Sequence, residues 1–151
     1  MGQSLSKIYV HLTFGTKNRH PFLHEEFRKR LHAYLGSTLK TYDSPAIVMD
    51  SVKDHIHILF VLSKNHALAK IVEEVKKQSS KWLKQIDHCD KNFAWQDGYA
   101  AFSVGSSQIQ VLTKYIANQK QHHQKISFRE EVESFLKKYD VINYNELYFW
   151  R

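Results

Sequence analysis

Two histidines flank one isoleucine in the apolar run DHIHILFVL, and a tyrosine and a glutamine follow far downstream at helical spacing. In a strand, His55 and His57 project to the same side, close enough to ligate one divalent ion. Tyr115 carries a hydroxyl that can act as a nucleophile, and Gln119 follows one helical turn later. In a small basic protein, these residue types together indicate chemistry on a nucleic-acid phosphate.

That chemistry explains why these residue types are needed. A divalent ion neutralises the charge of a phosphodiester and polarises its phosphoryl oxygen. A tyrosine hydroxyl can then attack phosphorus and form a phosphotyrosine link, which preserves the bond energy and allows rejoining without ATP. Two imidazoles and an amide oxygen would accept Mg²⁺ or Mn²⁺, with Zn²⁺ as an open alternative.

Each feature also has an ordinary structural explanation. The His-x-His pattern is short, and two strand histidines can simply form hydrogen bonds. A tyrosine beside the apolar helical stripe Ile109, Leu112 and Ile116 is most often a boundary residue. For the third ligand, Asn118 and His122 stay open as alternatives to Gln119.

The composition of the chain indicates its number of domains and its class of partner. The chain has 151 residues, a formal net charge of +7 and ten histidines, so we expect one domain over 1–151 and a polyanionic partner. Cys89 is the only cysteine, which fits a reducing cytoplasm. No apolar run approaches the ~20 residues of a membrane helix, and neither a signal peptide nor the loose myristoylation match MGQSLS is favoured.

Hydrophobic periodicity predicts the elements that must position the candidate residues. Strands are expected at 7–14, 46–52, 55–62 and 93–104, with a bend at QDG in the last. Helices are expected at 24–40 and 66–87, around Ile109 to Ile116, and at 128–139 after a capping-box pattern at Ser127.

The order β-α-β-β-α-β followed by helices predicts an α+β, ferredoxin-like fold. Its antiparallel sheet would carry helices on one face and C-terminal helices beyond. The other face would be open, and His55 and His57 would lie on it.

Several segments together resemble a known family. The HIH strand, GYAAFSV and VLTKYIANQKQHH look like the single-tyrosine transposases of the IS200/IS605 family, members of the HUH endonuclease group. The likeness extends to YVHLTFGTKNRHPF, SVKDHIHILF, the lysine-rich helix and FREEVESFLKKYDVIN, and so covers nearly the whole chain.

The resemblance implies more than the residues do alone. It assigns His55 and His57 as metal ligands, Tyr115 as the catalytic tyrosine and Gln119 as an additional ligand. It implies a transposase that cuts and rejoins single-stranded DNA at element ends, remains attached to the 5′ phosphate and leaves a 3′ hydroxyl. Hairpin DNA as the recognised partner and a homodimer are further expectations.

Two other functions fit parts of the sequence. A non-catalytic ferredoxin-like nucleic-acid-binding module would read single strands through aromatic side chains on an open sheet face. A zinc hydrolase lacks an acidic base close to the histidines in sequence and leaves the positive charge unexplained. Basic residues that could hold a DNA backbone occur in two groups, Lys17, Arg19, Arg28, Lys29 and Arg30, and Lys70, Lys76, Lys77, Lys81 and Lys84.

Overall fold

The computed structural model describes residues 2–123 and 125–151, and for His122 the backbone alone. Its strands are β1 (Ile8–Gly15), β2 (Ala46–Ser51), β3 (His55–Leu62) and β4 (Ala100–Val104). Its helices are α1 (Glu25–Thr41), α2 (Leu68–Leu83), α3 (Ile109–Ala117), α4 (Gln119–His122), α5 (Phe128–Lys138) and α6 (Glu146–Phe149). The strands form one antiparallel sheet in the order β2-β3-β1-β4. The predicted ferredoxin-like arrangement is confirmed.

The central strands alternate as their sequences predict. In β1, Val10, Leu12 and Phe14 face the main core, and in β3 the alternate residues Ile56 and Ile58 do the same. Helices α1 and α2 cover this face with the buried side chains Phe27, Leu31, Leu35, Leu39, Ile71, Val72, Val75 and Leu83. Because strand side chains alternate, the histidines of β3 must point to the opposite face.

The register of β1 and β3 determines which polar residues meet on that opposite face. Thr13 pairs with His57, and His11 pairs with Leu59. His11 is therefore the diagonal neighbour of His57, a relation that keeps two side chains within reach. Gly15 pairs with His55 at the end of the strand.

The second face of the sheet is covered, which corrects the expectation of an open face. Helix α5 and the C-terminal aromatic residues form a second apolar cluster there, including Phe102, Phe128 and Val132. His55 and His57 are consequently 1% and 0% exposed. A module that stacks unpaired bases on bare sheet aromatics would need this face free.

A close approach between α5 and β1 makes this covering possible. A Cβ added to Gly15 would lie 2.9 Å from Cε2 of Phe128, so only glycine leaves room for the helix here. Ser127 caps α5 through the predicted capping box with Glu130. Together, these two features fix where α5 begins above the histidines.

The segment predicted as a strand over 93–104 forms regular structure only at Ala100–Val104. Before it, Phe93 and Trp95 are buried in the core and the chain bends at Asp97. Lys76 holds this bend, because its Nζ donates to the carbonyl oxygens of Gln96, Asp97 and Gly98 at 2.8, 3.2 and 2.6 Å. The Lys76 side chain is therefore turned toward the protein rather than toward solvent.

The third predicted helix is confirmed over Ile109–Ala117, but the helical line that continues toward His122 is interrupted. Helix α3 ends at Ala117, Asn118 has a non-helical backbone, and α4 begins at Gln119. Among the helices of residues 2–123 and 125–151, none combines the length and apolarity that crossing a bilayer requires.

Candidate active site

Four side chains on three segments converge on the covered face of the sheet. His55 and His57 come from β3, His123 follows α4, and Glu131 lies on the inner side of α5. One potential ligand atom from each residue lies within 4.8 Å of the others. These four residues are called the His/Glu cluster below.

The contacts inside the His/Glu cluster show how tightly it converges. Oε1 of Glu131 lies 2.7 Å from Nε2 of His57 and 3.0 Å from Nε2 of His123. Nε2 of His55 lies 3.0 Å from Nε2 of His123 and 3.7 Å from the same carboxylate oxygen. All three imidazoles thus present Nε2 to one point.

The other ring nitrogen, Nδ1, has a protein partner in each of the three histidines. Such contacts fix ring orientation and tautomer, and they are usual for metal-binding histidines. The partners of His55, His57 and His123 are the Asp54 carboxylate (2.7 Å), Nε2 of His11 (2.8 Å) and the Ile126 carbonyl (2.9 Å). The arrangement directs each Nε2 toward the common point beside the Glu131 carboxylate.

Burial and charge set the protonation of this site. Burial, only partly offset by the hydrogen bond to Asp54, lowers the pKa of His55 to about 4, so this ring is neutral at pH 7. Burial beside His57 lowers the pKa of His11 to about 3. Burial opposes the charge on Glu131, but hydrogen bonds from His123 and His57 outweigh it and hold the pKa of that carboxyl below its ordinary value.

This donor set fits a divalent metal ion. Three imidazole nitrogens and one carboxylate oxygen are ligands that borderline divalent metals accept. An anionic buried carboxylate facing three imidazoles would also be costly without a cation or protons to balance it. The donor chemistry and the Nδ1 partners therefore both suit a metal centre.

Tyr115 lies against the His/Glu cluster of its own chain. Its hydroxyl donates a hydrogen bond to Oε2 of Glu131, and its ring centroid is 6.2 Å from that of His57. Burial and the Glu131 carboxylate raise the pKa of the Tyr115 phenol above its ordinary value, against a smaller opposing effect of a hydrogen bond with Gln119. A cation at the cluster would act in the opposite direction.

The structure brings together His55, His57 and Tyr115 as the sequence predicts. Gln119 is fully buried beside Tyr115, where its Nε2 donates to the Tyr115 carbonyl at 3.3 Å. Its Oε1 has no hydrogen-bond partner among the described residues, as expected of an atom that awaits a ligand. Its assignment as a metal ligand stays a prediction. Asn118 is exposed at the break after α3, and the His122 side chain lies outside the described structure.

Sequence reasoning missed His123 and Glu131. Continuing one helical line from Tyr115 points to His122, but the break at Asn118 rotates the chain and brings His123 inward instead. The sequence contains a feature that could have identified Glu131, because this acid lies on the apolar stripe of α5. An acid at such a position is rarely buried unless paired.

Two openings of different chemistry lead to the site. A cavity of about 320 Å³, here named the aromatic cavity, reaches Tyr115 and Glu131; its walls include Gln108, Val111, Leu112, Tyr115, Phe135 and Tyr139. A depression of about 560 Å³, here named the cationic groove, reaches His123; its walls include Arg19, Arg28, Lys53, Asp54, Lys120 and His123. The phenol is therefore accessible although it is half-buried.

Comparison with known proteins identifies the family of this chain. The chain belongs to the family described as "Transposase IS200 like", whose model matches residues 4–119. The match ends before His123 and Glu131. Among curated proteins, none matches the sequence.

Two solved structures share this fold. A candidate transposase from Deinococcus radiodurans R1 is 24% identical, with 79% of this chain and 96% of that chain covered and a TM-score of 0.59. A REP-associated tyrosine transposase bound to a REP hairpin is 15% identical, with coverage of 83% and 76% and a TM-score of 0.62. At these identities, the likeness establishes the fold.

The contact between His11 and His57 gives the first prediction. Replacing His11 by Leu leaves a side chain that can fill the buried space, but it removes the hydrogen-bond partner of Nδ1 of His57. We expect metal affinity to fall by about 10- to 100-fold, measured by isothermal titration calorimetry. His11→Gln, which can still hydrogen-bond, should retain more affinity, and His66→Leu serves as the control. Equal affinity in His11→Leu and the native protein would contradict this role.

Proposed function

We propose that this protein is a metal-dependent transposase that cuts and rejoins single-stranded DNA through a covalent bond between Tyr115 and a 5′ phosphate. The observation that carries the proposal is the meeting of three oriented imidazoles, one carboxylate and one accessible phenol in a single chain. The family membership supports DNA as the substrate. The positive net charge suits a polyanion.

In the proposed reaction, the Tyr115 oxygen attacks the scissile phosphorus and forms an O–P bond. The bond from phosphorus to the 3′ oxygen of the preceding nucleotide breaks, and that oxygen leaves as a free 3′ hydroxyl after taking up a proton. The phenolic proton is released to solvent as the O–P bond forms, which balances the proton that the 3′ oxygen takes up. Glu131 holds the phenol in place through the hydrogen bond to its Oε2. Attack by a 3′ hydroxyl on the phosphotyrosine reverses these steps and rejoins DNA.

His55, His57, His123 and Glu131 would hold the divalent ion, with Gln119 as a further candidate ligand. When bound, the ion neutralises phosphate charge and polarises the phosphoryl oxygen. Asp54 and His11 keep two of the imidazoles in the ligating orientation through Nδ1. Asp54 and His11 therefore contribute by fixing the geometry of the metal ligands, and they take no direct part in the reaction.

The identity of the ion yields a second prediction. The family resemblance points to Mg²⁺ or Mn²⁺, but Mg²⁺ prefers oxygen ligands and dehydrates reluctantly. A site with three imidazoles should bind Mn²⁺ or Zn²⁺ at least about 100-fold more tightly than Mg²⁺. Calorimetric titration of metal-free protein with each ion measures this preference. Tighter binding of Mg²⁺ would exclude the three-histidine ligand set.

Hairpin DNA is the proposed recognition element. The similar fold of a transposase bound to a REP hairpin supports it, as does the family resemblance of the sequence. A band-shift titration should therefore show tighter binding to a hairpin with a single-stranded extension than to the same extension alone. Equal binding of both would remove the hairpin from the proposal.

We propose that the protein is a homodimer in which each tyrosine serves its own chain. The contact of Tyr115 with Glu131 of the same chain supports action in cis. We therefore expect no adduct from an equimolar mixture of Tyr115→Phe and His57→Ala chains. If each tyrosine served the partner, mixed dimers would restore about a quarter of native activity. Light scattering of the native protein checks the dimer itself.

The covalent step provides the direct test of the proposed function. Native protein incubated with labelled single-stranded DNA from the ends of its own element and Mn²⁺ should form a denaturation-resistant protein–DNA adduct. A chelator should prevent the adduct, because the substrate charge would no longer be neutralised. Failure to form any adduct with element-end DNA under these conditions would reject the proposal.

A further inference from the structure

The two openings of the site differ in chemistry and are adjacent, since Ile126 lines both of them. Glu131 lines the aromatic cavity, and His123 lines the cationic groove. His123 and Glu131 are in contact at 3.0 Å. A polymer held by both openings would therefore pass directly over the His/Glu cluster and Tyr115.

The cationic groove has the charge to hold phosphates. Arg19, Lys53 and Lys120 are exposed along it, and Arg28 is half-buried, with its Nε donating to the Leu23 carbonyl oxygen at 2.9 Å. Two acids also line the groove: Asp54 contacts His55 at 2.7 Å, and Glu25 contacts Lys120 at 3.4 Å. The groove therefore presents an excess of positive charge next to the proposed metal ligands, as a phosphate backbone requires.

The aromatic cavity has the walls to hold a base. Phe135 and Tyr139 both stack against Phe102, which fixes the aromatic side of the cavity. Val111 faces them and is 65% exposed. Polar groups of Gln108 and Lys138 lie among these apolar walls. Nucleobases combine apolar faces with polar edges, and aromatic side chains stack on them without regard to sequence.

We propose that one DNA strand crosses the site from the cationic groove to the aromatic cavity, with its phosphates in the groove and one unpaired base in the cavity. The proposal rests on the proposed function and names the path of its substrate. A base inserted between these walls cannot remain paired. The path therefore selects single-stranded DNA next to the scissile phosphate.

Salt dependence tests the groove. The probes are fluorescent single-stranded 15-mers of dA, dC and dT, and their affinity is measured against salt concentration. Log affinity falls as log salt concentration rises, and each phosphate contact that is removed reduces the magnitude of this slope by about 0.7. The variant Lys53→Gln/Lys120→Gln lacks two such contacts, so the magnitude of its slope should be smaller by about 1.4. The control Lys81→Gln/Lys84→Gln, which removes the same charge from α2 and beyond, should keep the native slope. Equal slopes in both variants would overturn the proposal.

Abasic DNA tests the cavity. The native protein should bind at least one of the three 15-mers about 5- to 100-fold more tightly than an abasic 15-mer with the same phosphates. Tyr139→Leu should lose most of that preference while keeping the native salt slope. Val111→Trp, which fills the cavity from the other wall, should do the same, whereas Tyr148→Leu in α6 should not. A preference for bases that survives both cavity variants would overturn the proposal.

These binding assays are separate from the covalent reaction. If the protein binds DNA along this path yet forms no tyrosine adduct, the proposed function fails and the path stands. If the adduct forms while the groove and cavity variants bind as the native protein does, the path fails and the proposed function stands.

Discussion

Replacing Tyr115 by Phe should abolish covalent adduct formation while leaving metal and DNA binding near native levels. The substitution removes the hydroxyl oxygen that we propose as the nucleophile, so we expect a loss of at least about 10³-fold. The phenyl ring keeps the packing against Phe135 and His57. Adduct yield on denaturing gels measures the effect, with metal affinity from calorimetry and DNA affinity from anisotropy alongside.

A matched control separates this loss from general damage. Tyr148→Phe removes a hydroxyl from an exposed tyrosine in α6 and should leave the adduct unchanged. Raising the metal concentration should not restore Tyr115→Phe, because its ligands are intact. Native adduct levels in Tyr115→Phe would mean that another residue is the nucleophile.

Replacing Glu131 by Gln should produce a different pattern, in which metal affinity and adduct formation fall together. The change removes the anion of the His/Glu cluster and replaces the charged hydrogen-bond acceptor of Tyr115 by a neutral amide. We expect metal affinity to fall by about 100-fold or more. The free energy of unfolding of the metal-free protein should fall by about 1–3 kcal/mol, because His57 and His123 lose a charged acceptor.

The control and the metal dependence make this result interpretable. Glu73→Gln removes one exposed acid from α2 and should change neither property. Higher Mn²⁺ should partly restore adduct formation in Glu131→Gln but not in Tyr115→Phe. Native metal affinity in Glu131→Gln would exclude the carboxylate as a ligand, and full adduct formation would exclude it as the group that positions the Tyr115 phenol.

The β3 strand shows how much of the site local sequence could predict. Alternation in HIHIL separates the two histidines from the core-facing isoleucines, and this depends only on the geometry of one strand. The same reasoning predicted α5 from its periodicity and its capping box at Ser127. Each of these features depends on residues that lie close together in the chain, so it can be predicted from one sequence.

The third and fourth members of the His/Glu cluster could not be found in this way. The position of His123 depends on a helix break at Asn118, and the hydrophobic periodicity of the sequence does not predict this break. The inward direction of Glu131 depends on α5 crossing the sheet face, which in turn needs the bare backbone of Gly15 beneath Phe128. The expectation of an open face failed for the same reason, since nothing local reveals which helix covers it.

The sequence by itself determined the sheet, the pairing of His55 with His57 on one face, and a tyrosine helix whose segments resemble one transposase family. Each of these follows from periodicity or from short patterns within one element. The tertiary structure alone decided that His123 and Glu131 join the histidines, that His11 supports His57, and that Tyr115 reaches the cluster of its own chain. Those contacts join residues 8 to 74 positions apart. The register of β1 and β3 brings His11 to His57, and the packing of α5 against the sheet brings Glu131 within hydrogen-bonding distance of the other residues.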